Sequence, residues 1–250
     1  MSTYSLLQLT LDQTISREDL ESAATVLETL ARPDIAKLPR ELFGIVASGL
    51  QWEEANAFRV ELARYSYQTE VVADDDIPFL TPSYAVQRIA WNPPAYEFTN
   101  AMGRTQVRRL PEAVFLAGGY LSDTELKIET SASIEAKPSQ HGSYPSYTIT
   151  RQRKMISVPQ FRLDFFFSTA PHRIHVLITP ENVAFFQDQP LRLRHPRNIM
   201  DAREELRTFF PPERLTNGML QEDTHPFYPN MTSYEEEIRW RFYQLNKNRS

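Results

Sequence analysis

The stretch that most constrains the fold lies at residues 43–74. Phe43-Gly44-Ile45-Val46-Ala47-Ser48-Gly49-Leu50 is a short apolar run closed by a glycine, and it reads as a buried strand. Trp52, Ala55, Phe58, Leu62 and Tyr65 then recur at steps of three and four, which places them on one stripe of a helix. Glu53 and Glu54 fall in its first turn, where carboxylates oppose the positive end of the helix dipole. Gln68-Thr69-Glu70-Val71-Val72 reads as a second strand, stopped by Asp74-Asp75-Asp76 and Pro78. Strand, helix and strand in about thirty residues make a compact βαβ unit. No glycine-rich loop opens the helix, so a dinucleotide or P-loop reading fails here.

Upstream, residues 4–11 alternate loosely as a first strand. Ser16 and Asp19 form the start of a capping box for a helix carrying Leu20, Ala23, Ala24, Leu27 and Leu30, and Pro33 ends or kinks it. Ile35, Leu38 and Leu42 repeat the pattern weakly across Pro39. The order βααβαβ over residues 4–73 resembles the C-terminal domain of the bacterial ribosomal stalk protein. The helix start Ser48-Gly49-Leu50-Gln51-Trp52-Glu53-Glu54-Ala55 and the exit through Gln68-Thr69-Glu70-Val71-Val72 are also similar to that domain. The resemblance implies the fold of residues 1–77. In that family a Gly- and Lys-rich second helix recruits translation factors. The matching segment, Arg32-Pro33-Asp34-Ile35-Ala36-Lys37-Leu38-Pro39, lacks the glycines and keeps one lysine, so factor binding is not carried over.

Charge divides the chain. Residues 1–80 hold six Lys/Arg against fourteen Asp/Glu, a balance of −8, and residues 81–210 hold sixteen against twelve, or +4. This shift, near Pro78 and Pro82, supports a domain boundary. The net charge of −5 argues against broad affinity for nucleic-acid backbones. Zero cysteines exclude disulfides, a thiolate nucleophile and Cys-ligated metal sites. No run approaches the roughly 18 apolar residues that span a bilayer, and residues 1–11 lack a signal-peptide pattern, so a cytoplasmic location is expected.

Beyond residue 84 the period becomes that of strands. Residues 86–91, 96–99, 105–110, 113–116, 161–167, 173–178, 183–187 and 191–194 read as strands, with a turn at 100–104. Residues 122–160 read as a long insertion, partly mobile between 130 and 147, where Ser, Thr, Pro and Gly dominate. Asn198 is placed to cap a helix with Ile199, Ala202, Leu206 and Phe209 inward. Roughly seven strands followed by one helix resemble a pleckstrin-homology-like barrel over residues 84–210, with the helix plugging one end. The tail, 211–250, ends in a helix over 234–245, capped by Thr232 or Ser233, with a stripe of Ile238, Phe242 and Leu245. That stripe docks on its own barrel or forms a homodimer contact. The expected fold class is therefore α+β in two modules: a small βααβαβ domain, then a seven-stranded antiparallel barrel capped by a helix, plus a helical tail.

No motif supplies chemistry outright. His172 and His175 are three apart on a strand, which sends them to opposite faces, so no metal site is expected. No catalytic residue and no cofactor are assigned. The best positive feature is Arg192, Arg194, His195 and Arg197 beside the helix start at Asn198, joined from the insertion by Arg151, Arg153 and Lys154. Basic side chains next to free helix amides suit an anion. The expectation is a non-catalytic adaptor that binds a peptide or protein partner through the barrel. The rivals are an enzyme with an inter-domain cleft built from Arg192, Arg194, His172 or His175 and a carboxylate, acting on an anionic small molecule, and an anionic-lipid-binding module.

Overall fold

A computed structural model describes residues 2–27, 42–92, 95–139, 142–170, 172–178, 203–204, 206–221 and 227–248. Within these, the protein is a mixed α+β chain with three sheets and few helices.

The N-terminal unit begins with β1 (Tyr4–Gln8) and α1 (Arg17–Ala23), whose N-cap Ser16 accepts a hydrogen bond from the Asp19 amide. β2 (Ile45–Leu50), α2 (Trp52–Arg64) and β3 (Thr69–Ala73) follow. β1 lies between β2 and β3 and runs antiparallel to both, so the βαβ unit straddles the first strand. Ala55, Phe58 and Leu62 are fully buried beneath α2. Trp52 and Tyr65, expected on the same stripe, are 51% and 43% exposed. They stand at the two ends of the helix, past the cover of a sheet five or six residues long. The expected second helix at 34–42 falls almost wholly outside the described residues.

The second half corrects the expected barrel. The strand expected at 86–91 divides into β4 (Tyr84–Val86) and β5 (Arg88–Asn92), and the two join different sheets. β5, β6 (Ala95–Thr99) and β7 (Thr105–Arg109) form an antiparallel meander. β8 (Ala113–Ser139), β9 (Gly142–Phe167) and β10 (Arg173–Ile178) form the other sheet with β4, in the order β4-β10-β9-β8. Among the described residues the sheets are hydrogen-bonded separately and do not close into a barrel. They meet through apolar side chains, including Phe98 edge-on to Phe165 at 5.2 Å. Ile89 of β5 and Tyr96 and Phe98 of β6 pack against Leu163, Phe165 and Phe167 of β9 and Ile174 and Val176 of β10, which gives both sheets a buried face without closure.

The expected insertion at 122–160 is also corrected. β8 and β9 stay in unbroken antiparallel register from Leu116↔Phe165 to Ser139↔Gly142. The Ser, Thr and Pro content suggested a loop, but Ser and Thr pair readily across strands.

After Pro211, a short turn leads to α3 (Asn217–Leu220) and then α4 (Met231–Lys247). The cap of α4 is Asn230, whose side chain accepts from the Ser233 amide, rather than Thr232 or Ser233. Phe209, expected inward, is 47% exposed while Phe210 is buried. Three-residue turns, Phe209 N–H to Leu206 O and Phe210 N–H to Arg207 O, tighten the chain there and rotate the next residue inward. Ile238, expected to be available for a dimer contact, is fully buried against β8 and β9, and Phe242 and Leu245 pack on the same cluster. On its other side α4 presents Trp240 to Leu7, Ile45, Val72 and Ile77 of the N-terminal unit. The tail therefore packs on both halves of the chain.

Candidate functional site

Two parts of the four-stranded sheet carry chemistry of note: a buried charge cluster under α4, and the outer length of the β8–β9 hairpin.

The cluster follows from strand alternation. Phe161, Leu163, Phe165 and Phe167 of β9 face the meander, so Arg162, Asp164 and Phe166 face α4. On β10, Ile174 and Val176 share the first face and Arg173 and His175 the second. Asp164 is fully buried and its two oxygens are engaged four times. Arg162 donates through Nε to Oδ2 at 2.6 Å and through Nη2 to Oδ1 at 3.2 Å. Arg173 Nε donates to Oδ1 at 2.6 Å, and the Tyr234 hydroxyl from α4 donates to Oδ2 at 2.9 Å. Arg173 also reaches Glu235 Oε1 at 2.9 Å. Burial alone would raise the pKa of Asp164, but the hydrogen bonds and charges of Arg162 and Arg173 outweigh it and hold the carboxyl below its ordinary value. Burial and then the charge of Asp164 lift Tyr234 well above the ordinary phenol range. His175 is half-buried beside them and pushed down, by burial and then by Arg162, so it is neutral near pH 7.

This arrangement fastens rather than reacts. A carboxylate held ionised, with four donors on two oxygens, has no lone pair left to take a proton from a substrate. A second network repeats the theme one turn along α4. Buried Glu237 accepts from the Tyr228 hydroxyl at 2.7 Å and from the Asn217 amide at 2.6 Å. Burial outweighs Arg241 and these bonds, and raises its pKa.

The outer hairpin is of another kind. Past Leu121 and Gln160, residues 122–139 of β8 and 142–159 of β9 pair with each other. The described pairing of β10 with β9 ends at Ile178↔Phe161, and among the described residues no other strand joins either of them farther out. The outermost ties described between the hairpin and the body are Ser122 N–H to Tyr228 O and the Tyr228 amide to Tyr120 O. Eighteen residues of strand extend about 60 Å.

The expected site residues separate accordingly. Arg192, Arg194, His195 and Arg197, with the helix start at Asn198, lie outside the described residues. Arg151, Arg153 and Lys154 sit midway along β9, opposite Thr130, Ile128 and Lys127, on a strand rather than a loop. His172 borders a shallow apolar groove with Pro78, Phe79, Leu80, Phe166 and Phe242. His175 instead adjoins the Asp164 cluster, so the two histidines do not act together. Asp164, Arg162, Tyr234 and Glu235 were missed. Their signal was present: Arg162 and Asp164 alternate with apolar residues in a strand that also carries three adjacent phenylalanines. Among the described residues no group of His, Asp and Glu is gathered as a metal site, and no helix is long and apolar enough to cross a membrane.

No protein family, curated protein or solved structure matches the chain.

Proposed function

We propose that this protein is a non-catalytic interaction protein, an adaptor that docks on a protein partner through the outer β8–β9 ribbon. One observation carries the reading. The two strands pair with each other from Asp123↔Val158 to Ser139↔Gly142, and no other described strand joins them there. A two-stranded ribbon is marginal on its own in water, so a ribbon of this length gains most from a surface that covers it. Arg151, Arg153 and Lys154, first read as part of an anion-binding surface, lie on it. The stalk-like order of strands and helices in residues 4–73 belongs to the same reading, since docking modules are built on that fold, without the factor-binding segment.

The experiment replaces residues 123–158 with an Asn-Gly turn and compares the proteins captured by full-length and shortened chains, with circular dichroism to confirm that the body folds. Loss of a specific partner on shortening supports the reading. The same partners captured by both chains overturn it.

A second reading, an enzyme, draws on His175 lying beside buried Asp164. The four donors on Asp164 weigh against it. Replacement of His175 by Ala would abolish any turnover that reading requires.

A further inference from the structure

We propose that β7 is a docking edge for an acidic, extended peptide segment of another protein, which joins the meander as a fourth strand. This surface is separate from the β8–β9 ribbon and does not rest on the role proposed for it.

Hydrogen-bond geometry fixes which backbone groups of β7 face outward. In a strand the N–H and C=O of one residue point to one side, and those of the next residue to the other. Gln87 N–H donates to Thr99 O at 2.9 Å, so Thr99 turns its backbone groups toward the β5 side. Phe98 therefore turns its own toward β7, and so does Asn100, whose N–H donates to Arg104 O at 3.0 Å. Phe98↔Gln106 and Tyr96↔Arg108 are then the hydrogen-bonded pairs of β6 and β7, with Glu97↔Val107 and Thr99↔Thr105 as the non-hydrogen-bonded ones. The Thr99 and Thr105 hydroxyls meet at 3.0 Å, as side chains of such a close pair do. Thr105, Val107 and Arg109 are left with N–H and C=O directed away from β6. β7 ends its sheet, and these groups find no backbone partner among the described residues. They form an open ladder ready for one more strand.

The side chains say which strand fits. Val107 is 57% exposed, and Arg104, Thr105 and Arg109 are exposed as well. Thr105, Val107 and Arg109 alternate onto one face. Arg108 points the other way, where it donates to Ala170 O and its guanidinium lies over the Phe167 ring at 5.9 Å. The inward arginine thus fastens the edge to the body. From Arg88 to Arg109 the meander holds four arginines against one carboxylate, Glu97. Glu97 lies on β6 opposite Val107, and exposed Glu112 follows the strand. No ion pair is described for Arg104 or Arg109. An edge this basic repels a second copy of itself. A strand with carboxylates facing Arg104 and Arg109 and an apolar side chain facing Val107 matches both the ladder and the charge. Main-chain bonds then supply affinity, and alternate side chains supply selection.

The test is calorimetric titration of the full chain with a short peptide that alternates glutamate and valine. Two control peptides carry lysine in place of glutamate, or proline in place of valine. The glutamate peptide is expected to bind with a Kd of about 10–100 μM, weakened by salt, and either control about tenfold or more weakly. Val107→Pro takes away one outward N–H and leaves the β6 ladder whole, since proline suits an edge strand where its nitrogen faces out. It is expected to weaken binding about tenfold or more. Arg104→Glu with Arg109→Glu keeps every backbone group and is expected to weaken binding about tenfold. Circular dichroism confirms that the variants fold, and the charge reversal decides alone if the proline variant does not. Amide exchange reads the register: Thr105, Val107 and Arg109 exchange fast in the free protein and slowly with peptide, whereas Gln106 and Arg108 are slow in both. No binding of the glutamate peptide up to about 1 mM overturns the proposal. Equal binding of the proline peptide, or binding that both variants leave unchanged, overturns it too. Binding lost when residues 123–158 are replaced by Asn-Gly moves the peptide to the ribbon and overturns this edge. Binding kept in that shortened chain supports the edge, whatever becomes of the ribbon's role.

Discussion

The base and the outer length of one hairpin are made of the same two strands, yet they live in different physical settings. At the base, Phe161, Leu163 and Phe165 are almost wholly buried on one side, and Asp164 is fully buried on the other. Both faces are covered, one by the meander and one by α4. Farther out the ladder continues, residue opposite residue, with no third strand described. The ladder supplies the form in both places. Tertiary cover decides what the form is worth, since most of a strand's stability comes from what its faces bury.

The sharpest way to break this contrast is to strike the base at its one buried carboxylate. Asp164→Ala leaves Arg162, Arg173 and the Tyr234 hydroxyl without their partner, and it is expected to cost about 3–5 kcal/mol in urea denaturation. The same carboxyl has its pKa lowered by folding. Its contribution is therefore present above the unfolded value and lost as pH falls through the folded one. A loss within about 0.5 kcal/mol would mean that α4 is held on the sheet by apolar contact alone.

The next expected effect is at the cover of the base. Gly44 has φ +94°, and a Cβ there would lie 2.3 Å from Trp240 Cγ. The indole also donates to the Gln8 carbonyl at 2.7 Å. Gly44→Ala is expected to cost about 1–3 kcal/mol from overpacking, with a further penalty for the left-handed backbone, and to change the near-UV signal of Trp240.

A smaller, pH-dependent effect sits on the side of α4. Burial raises the Glu236 pKa from 4.5 to about 7, against the opposing charge of Arg239. The folded state therefore holds this proton more tightly than the unfolded chain does. Its contribution is complete below about pH 4.5 and is lost as pH rises through about 7. Glu236→Gln should remove a slope on the order of 2 kcal/mol or less over that window, after allowance for solvent screening of a partly exposed group. A stability curve unchanged by the substitution would place the carboxylate in water.

The smallest expected effect completes the comparison. Replacement of residues 123–158 by Asn-Gly should shift the unfolding free energy of dilute protein by no more than about 1 kcal/mol, because no other described strand pairs with that length. A loss as large as that of Asp164→Ala would show that the outer ribbon is part of the body.

Much of the N-terminal unit was legible. Its apolar runs are short and bounded by Gly, Asp and Pro, and Ala55, Phe58 and Leu62 keep a helical period that the structure buries. The second half was less so, for two reasons. A continuous strand that changes sheets at Gln87 has no local marker, since both sheets ask for the same alternation. The ribbon alternates too, through Leu126, Ile128, Ala132 and Ile134, but its Ser, Thr and Pro content dilutes the period. The candidate site was the least legible. Arg162, Asp164 and Arg173 look like a solvated strand face, and only the return of α4 from some seventy residues away buries them.

By itself the sequence determined the local forms. It set the short strands of the N-terminal unit, the helices α1, α2 and α4 and the cap at Ser16, the absence of thiol chemistry, and the acidic balance of the first eighty residues, all of which depend on neighbours within a few positions. Only the tertiary structure decided that the described sheets of the second half are separate, that α4 packs on both halves, and that the ladder of one hairpin runs on past the described pairing with β10. Those outcomes depend on which apolar faces meet across the chain. That is a competition among distant surfaces whose winner is set by total burial and by the pairing of the charges that burial traps.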